Sequence, residues 1–201
     1  MNEQRLAGAT TRILLLRHGE TAAPDLFHGS ESDIGLGPRG RAQAVAAGEL
    51  LRVFQPTAVY CSGMRRAVET AEPIAAACGL PLLIEPELRE RRMGPLSGFP
   101  RVEGMPIYEE AKSRWMAGEV DFTHPGGESF AEIRRRVVPA IEAIAGRHRG
   151  STVVIVGHGV ANRVIITSLV EGLSPANFDD ITIEFVATTR LLRDSTGWKI
   201  E

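Results

Sequence analysis

The sequence predicts an α/β fold around a sheet with substantial parallel pairing. Four apolar runs, 13–16, 58–61, 82–84 and 153–156, are short and lack polar alternation, and most are rich in Ile, Leu or Val, as suits strands buried on both faces. Stretches of helical length and pattern separate them, which implies βαβ units. Two of the runs also end alike: "ILLLRHG" and "VVIVGHG" each carry an apolar segment straight into His-Gly. In open α/β sheets ligands collect beyond the carboxyl ends of the strands, so both histidines are expected at one pocket.

Each element follows in order. The opening "MNEQRLAGATTR" has charged residues but no apolar core of an export signal, and no stretch approaches the roughly 18 apolar residues of a membrane span. After the first strand, "GPRGRAQAVAAGELLRVF" places Pro38 at a first helical position ahead of an alanine-rich body. The letters "GLGPRG" at 35–40 fit a dinucleotide fingerprint, but no buried strand precedes them, so they are read as a helix start. "MRRAVETAEPIAAACG" is a second helix capped by Gly79. Residues 91–127 are scattered with Gly and Pro and read as a loop-rich insertion with one short helix near 107–117, the kind of segment that covers a site. In the next helix Phe130, Ile133, Val137, Ile141 and Ile144 recur at helical intervals. "ITIEFVATTRLLRD" is expected to hold two late strands, the second closing before "STGWKIE". With no repeat or linker, residues 1–201 are expected to form one domain, and 43% hydrophobic content is enough for one core.

Composition removes several classes. A net charge of -2 gives no general reason to bind nucleic acid or an anionic membrane, so any anion site must be local. Cys61 and Cys78 lack a CxxC spacing, which argues against a disulfide framework or zinc cluster and for a reducing cytoplasm. Neither histidine lies in an H-E-x-x-H motif and no carboxylate cluster has metal-site spacing, so no metal and no cofactor are expected.

The candidate site grows from His18 and His158. Ser62 ends a third strand, and Arg65 or Arg66 follows in the first turn of a helix, where a cation opposes the helix dipole unless an anion sits nearby. Arg17, one of Arg65 and Arg66, and His158 supply donors suited to a tetrahedral phosphate, which leaves His18 free to react. Glu90, hemmed by Arg89, Arg91 and Arg92 in "PELRERRMG", is a carboxylate at the entrance to the insertion.

These residues resemble a known family. "LLLRHGET" is similar to the signature of the histidine phosphatase superfamily, in its phosphoglycerate mutase-like branch, and the likeness covers most of the chain. "DIGLGPRGRAQA" matches that family's next segment through Asp33, Leu36, Gly40, Gln43 and Ala44; "YCSGMRRAVETA" matches a further one and selects Arg66 over Arg65. "LRERRMGPLSG" aligns Glu90, and "PGGES" at 125–129 and "VGHG" at 156–159 complete the order. The resemblance implies a three-layer α/β/α sandwich with a mostly parallel central sheet, phosphoglycerate mutase-like, and metal-independent phosphomonoester hydrolysis of a small phosphorylated metabolite. In it neutral His18 forms a phosphohistidine, Arg17, Arg66 and protonated His158 stabilise the transferring oxygens, and Glu90 is the general acid and base. Phosphoglycerate mutases of this branch commonly carry Trp-Asn and Arg-Arg-Ser-Tyr-Asp stretches where this chain has "AAP" at 22–24 and "KSRWMAG" at 112–118, which favours a phosphatase. A mutase and a non-catalytic phospho-ligand binding protein are the alternatives. The expected partner is a small phosphate ester, in a cytoplasmic protein that binds neither nucleic acid nor membrane, with a homodimer left open.

Overall fold

The computed structural model describes residues 9–201; the reading of the leading segment therefore lies, up to residue 8, outside the described residues. In chain order the elements are β1 (Thr11–Arg17), α1 (Pro38–Leu51), β2 (Ala58–Cys61), α2 (Arg65–Cys78), β3 (Leu82–Ile84), α3 (Arg101–Met116), α4 (Phe130–Arg147), β4 (Thr152–Gly157), α5 (Gly159–Leu169), β5 (Thr188–Asp194) and β6 (Gly197–Ile200). The strands form one mixed sheet in the order β3-β2-β4-β1-β5-β6. β3, β2, β4 and β1 pair in parallel, and β5 and β6 extend the sheet antiparallel.

Alternation along the central strands splits the core between two faces. Leu14, Leu16, Val59, Cys61, Val154 and Val156 pack with Ala47 and Leu51 of α1 and Ala67, Ala71 and Ile74 of α2. Their neighbours Ile13, Leu15, Tyr60, Val153 and Ile155 pack with α4 and α5 on the other side. A strand buried on both faces has no use for polar residues, which is why these runs show no polar alternation. All five periodic residues of α4 are fully buried, and Ser129 starts that helix in a reciprocal capping box with Glu132. Gly79 closes α2 at φ 66°, a left-handed conformation that costs glycine little. No helix among the described residues is long and apolar enough to cross a membrane.

Two expectations are corrected. The insertion is less loop-rich than its composition implies: α3 begins at Arg101, well before 107, and runs 16 residues. Gly104 and Pro106 disguised its start. A Cβ on Gly104 would lie 2.9 Å from Leu96 and 3.0 Å from Phe27, so glycine lets the helix approach them. Pro106 leaves a carbonyl unpaired one turn back, at the exposed Val102, where water can satisfy it. At the other end, 181–194 holds one strand, β5, and the second late strand, β6, lies within "STGWKIE". Residues 181–187 instead form a loop over the ends of the central strands, bridged to Arg17 through Phe185.

Candidate active site

Strand register brings the two histidines together. In the parallel pair β1–β4, Arg17 stands opposite Gly157, so His18 and His158 leave the sheet side by side, with the His18 amide donating to the Gly157 carbonyl at 3.1 Å. Their ring centroids are 5.2 Å apart. β2 ends one residue before Ser62, whose Oγ lies 2.7 Å from His158 Nε2. The loop after β1 reaches this position because Gly19 and Gly40 have no side chains. A Cβ on Gly19 would stand 2.7 Å from the Gly40 carbonyl oxygen, and one on Gly40 only 2.0 Å from that of Glu20. Gly19 thus serves contact with α1 rather than with a ligand. Gly159 does face the site, where a Cβ would meet Arg17 Nε at 3.7 Å and Glu90 Oε2 at 3.8 Å.

The main-chain contact of His18 sets its tautomer. Nδ1 lies 2.7 Å from the Gly19 carbonyl oxygen, which can only accept, so Nδ1 carries the proton of the neutral ring. Nε2 keeps its lone pair in a cleft bounded by Arg17, Glu90, Gly159 and Phe185 among others. Burial, followed by the charges of Arg66 and Arg17, drives the His18 pKa well below its ordinary value. His158 is shifted the same way by burial, then Arg66 and His18. The expected protonated His158 therefore differs from the protein by itself, whose surroundings favour the neutral ring. A phosphoryl dianion between the histidines would oppose that effect, since a nearby anion favours the imidazolium.

Among the arginines, Arg66 is fully buried while Arg65 is exposed and pairs with Glu69 at 2.8 Å. Arg66 donates from Nη1 to the Ser32 carbonyl at 3.0 Å and from Nη2 to that of Gly29 at 3.2 Å, leaving Nε buried and unpartnered. Arg17 donates from Nη1 to the Ile183 carbonyl at 3.1 Å, stacks 4.1 Å from the centre of the Phe185 ring, and also has an unpartnered Nε. Burial lowers both guanidinium pKa values to about 10, so both stay charged at neutral pH. The loop that seats Arg17 includes Val186 at φ 52°, a strained conformation for a β-branched residue, held by the hydrogen bond its N–H donates to the Arg17 carbonyl.

Glu90 sits at the N-terminus of α5. Oε1 accepts from the amides of Arg91 (2.9 Å) and Ala161 (3.0 Å), and Oε2 from that of Val160 (3.1 Å). Two of these amides are orphan donors of the helix start, which no residue of α5 satisfies. A carboxylate has about four acceptor positions, so one on Oε2 is left for a proton. The backbone beneath Glu90 is held from α4: Arg136 donates to the carbonyls of Glu87 (2.7 Å), Arg89 (2.7 Å) and Glu90 (3.2 Å), and to Glu128 at 2.9 and 3.0 Å. Glu128, of the "PGGES" segment, also accepts from the Arg92 amide. Arg136→Ala strands the buried Glu128 charge and releases three carbonyls, with an expected loss of about 3–5 kcal/mol, read by denaturant unfolding.

Acid should destabilise this region in two stages. A histidine whose folded pKa is depressed binds its proton more readily when unfolded, so stability present above the unfolded value of about 6.5 is lost as pH falls below it. Glu128 adds a second loss: burial alone would raise its pKa, but Arg136 overrides that and holds it below the ordinary value. The thermal midpoint is expected to fall from pH 7 to pH 5 and again below about pH 4.3, and His158→Gln should flatten the first fall. A midpoint constant from pH 7 to pH 5 would refute the buried neutral pair.

The cleft also contains residues the sequence reading passed over: Thr21, His28, Arg101, Tyr108, Arg163 and Phe185. Arg163 carried a usable signal, because it follows Gly159 and Val160 at helical spacing on one face of α5. Arg101 and Tyr108 carried none, since the start of α3 was hidden.

Comparison with known proteins gives the chain a family. The family model described as "Histidine phosphatase superfamily (branch 1)" matches residues 13–201. A metal-independent phosphoserine phosphatase of Arabidopsis thaliana is 37% identical over 188 residues, covering 90% of this chain and 78% of that protein. Phosphoglycerate mutase-like protein 4 of the same plant is 37% identical over 196 residues, covering 94% and 83%. The solved structure of a mycobacterial glucosyl-3-phosphoglycerate phosphatase superposes with a TM-score of 0.82 at 26% identity, over 96% of this chain and 97% of that one. With nearly its whole length matched, this chain belongs to the histidine phosphatase superfamily, branch 1.

Proposed function

We propose that this protein hydrolyses a small phosphomonoester in two steps through a phosphohistidine on His18. Phosphatase activity is named for the family and for two of the relatives reported above; the residue roles are inferred from geometry. The lone pair of His18 Nε2 attacks phosphorus as the ester P–O bond breaks, and Glu90 in its acid form gives its proton to the departing alkoxide. Water then attacks the phosphorus, Glu90 takes a proton from it, and the P–N electron pair returns to Nε2. Arg17, Arg66 and His158 surround the charge that develops on the equatorial oxygens. The single observation that carries this reading is the His18 tautomer, fixed by the 2.7 Å contact of Nδ1 with Gly19, which turns a bare Nε2 toward a cleft also lined by Glu90. The unpaired thiols Cys61 and Cys78 favour a reducing, cytoplasmic setting.

A screen of phosphometabolites in excess EDTA, reading inorganic phosphate, tests this. Release undiminished by the chelator is expected. Tight ester binding without turnover across the panel would support the binding-protein reading instead, and interconversion of phosphoglycerates outpacing phosphate release would support a mutase.

A further inference from the structure

The start of α2 lacks the kind of side chain that helix starts favour. Ser, Thr, Asp or Asn usually stands there, because its oxygen accepts from an otherwise unpaired amide of the first turn. Met64 holds the position and caps nothing with its side chain. Its main chain is fixed all the same: the carbonyl accepts from the amides of Ala67 (2.8 Å) and Val68 (2.9 Å), and Gly63 turns the chain into it at φ 77°. The half-buried side chain reaches the site instead. Its Sδ lies 3.6 Å from Arg66 Nη2 and 3.5 Å from the Glu90 main-chain nitrogen, in position to accept from both.

The two contacts differ in weight. Arg66 Nη2 also has the Gly29 carbonyl, whereas the Glu90 N–H has no other acceptor among the described residues. The main chain at Glu90 is therefore gripped from both faces of the sheet, its carbonyl by Arg136 of α4 and its N–H by the residue that starts α2. A thioether suits this place. It is long and unbranched, its sulfur is an acceptor, if a weak one, and it brings no charge. A carboxylate there would pair with Arg66 and occupy charge meant for a phosphoryl group. Leucine would fill much the same volume and offer no lone pair.

We infer that Met64 is a positioning residue, its sulfur fixing the main chain of Glu90, and so the carboxyl that gives the proton, to the same point as Arg66. This rests on the phosphatase reading above, and the test separates the two. With enzyme in excess, a single turnover of phenyl phosphate reads the step in which Glu90 protonates the departing oxygen, and p-nitrophenyl phosphate reads the same attack on a leaving group that departs without a proton. Met64→Leu keeps the volume. It is expected to slow phenol release by roughly 5- to 10-fold, the worth of one hydrogen bond, and nitrophenol release by less than about twofold. Met64→Gln, whose amide oxygen replaces the lost acceptor, should recover most of the phenol rate. Thermal midpoints establish that both variants fold. Phenol release from Met64→Leu at the wild-type rate overturns the role of the sulfur. Equal slowing with both esters, or equal slowing in both variants, reduces Met64 to a side chain that fills space and overturns that role too. No phenol and no nitrophenol released by the wild-type protein overturns the phosphatase reading, and the role of Met64 with it.

Discussion

His18→Ala is expected to lower kcat/KM by about 10⁵-fold, the scale on which removal of a covalent nucleophile is felt. The loss should fall on kcat, because Arg17 and Arg66, the proposed phosphoryl-binding arginines, remain. Little of it should come from unfolding: His18 is held by its main-chain bond to Gly157 and by Nδ1 to the adjacent carbonyl, and neither spans the core. The covalent intermediate gives a sharper readout than the rate. Wild-type protein mixed briefly with a ³²P-labelled ester and quenched in alkali should retain label that acid removes, as a phosphoramidate does, and His18→Ala should retain none. The pH dependence of labelling carries a second signature. Because the His18 pKa is depressed, Nε2 stays unprotonated below the ordinary histidine range, and labelling should persist in mild acid where a free imidazole would already be protonated. Equal labelling of the two proteins would mean that the nucleophile lies elsewhere.

The sequence foretold the sheet well because it encodes the sheet in the most direct way, through strands with no polar face. The same logic located the histidines: a one-residue step beyond two parallel strands in register leaves little freedom, as the pairing of Arg17 with Gly157 shows. The distinction between Arg65 and Arg66 came from the family resemblance and has a physical counterpart in burial, since the helix turns one into the interior and the other into water. What stayed hidden depends on tertiary contacts. α3 was obscured because Gly104 and Pro106 are poor helix formers whose presence is explained by Phe27, Leu96 and solvent, partners that local propensity does not include. Residues 181–187 looked like a strand, yet Arg17 and Arg163 draw on their carbonyls and Val186 takes a strained conformation there. The charge state of His158 was likewise invisible, because it depends on burial and on Arg66, which lies far away in the chain.

Glu90→Gln should separate the two halves of the reaction. General acid–base catalysis by one side chain is worth roughly 10²–10⁴-fold, and that loss is expected in full for esters of alkyl alcohols, whose departing alkoxide needs the proton. For p-nitrophenyl phosphate the first step should be nearly spared, because the nitrophenolate leaves without protonation. The second step still lacks its base, so the phosphohistidine should accumulate and steady-state release should show a burst of nitrophenol followed by slow turnover. The substitution has a structural cost that can be measured independently. Both carboxylate oxygens accept main-chain amides, so the amide nitrogen of glutamine must confront either the Val160 amide or those of Arg91 and Ala161. The first choice is the lesser conflict, with an expected destabilisation of about 1–3 kcal/mol for one donor left unpaired. Unfolding curves will therefore show a modest shift while the burst shows a large one. A variant that hydrolyses alkyl phosphates at the wild-type rate would remove Glu90 from the mechanism; one that loses the burst along with turnover would place the carboxylate in attack on phosphorus instead of in proton transfer.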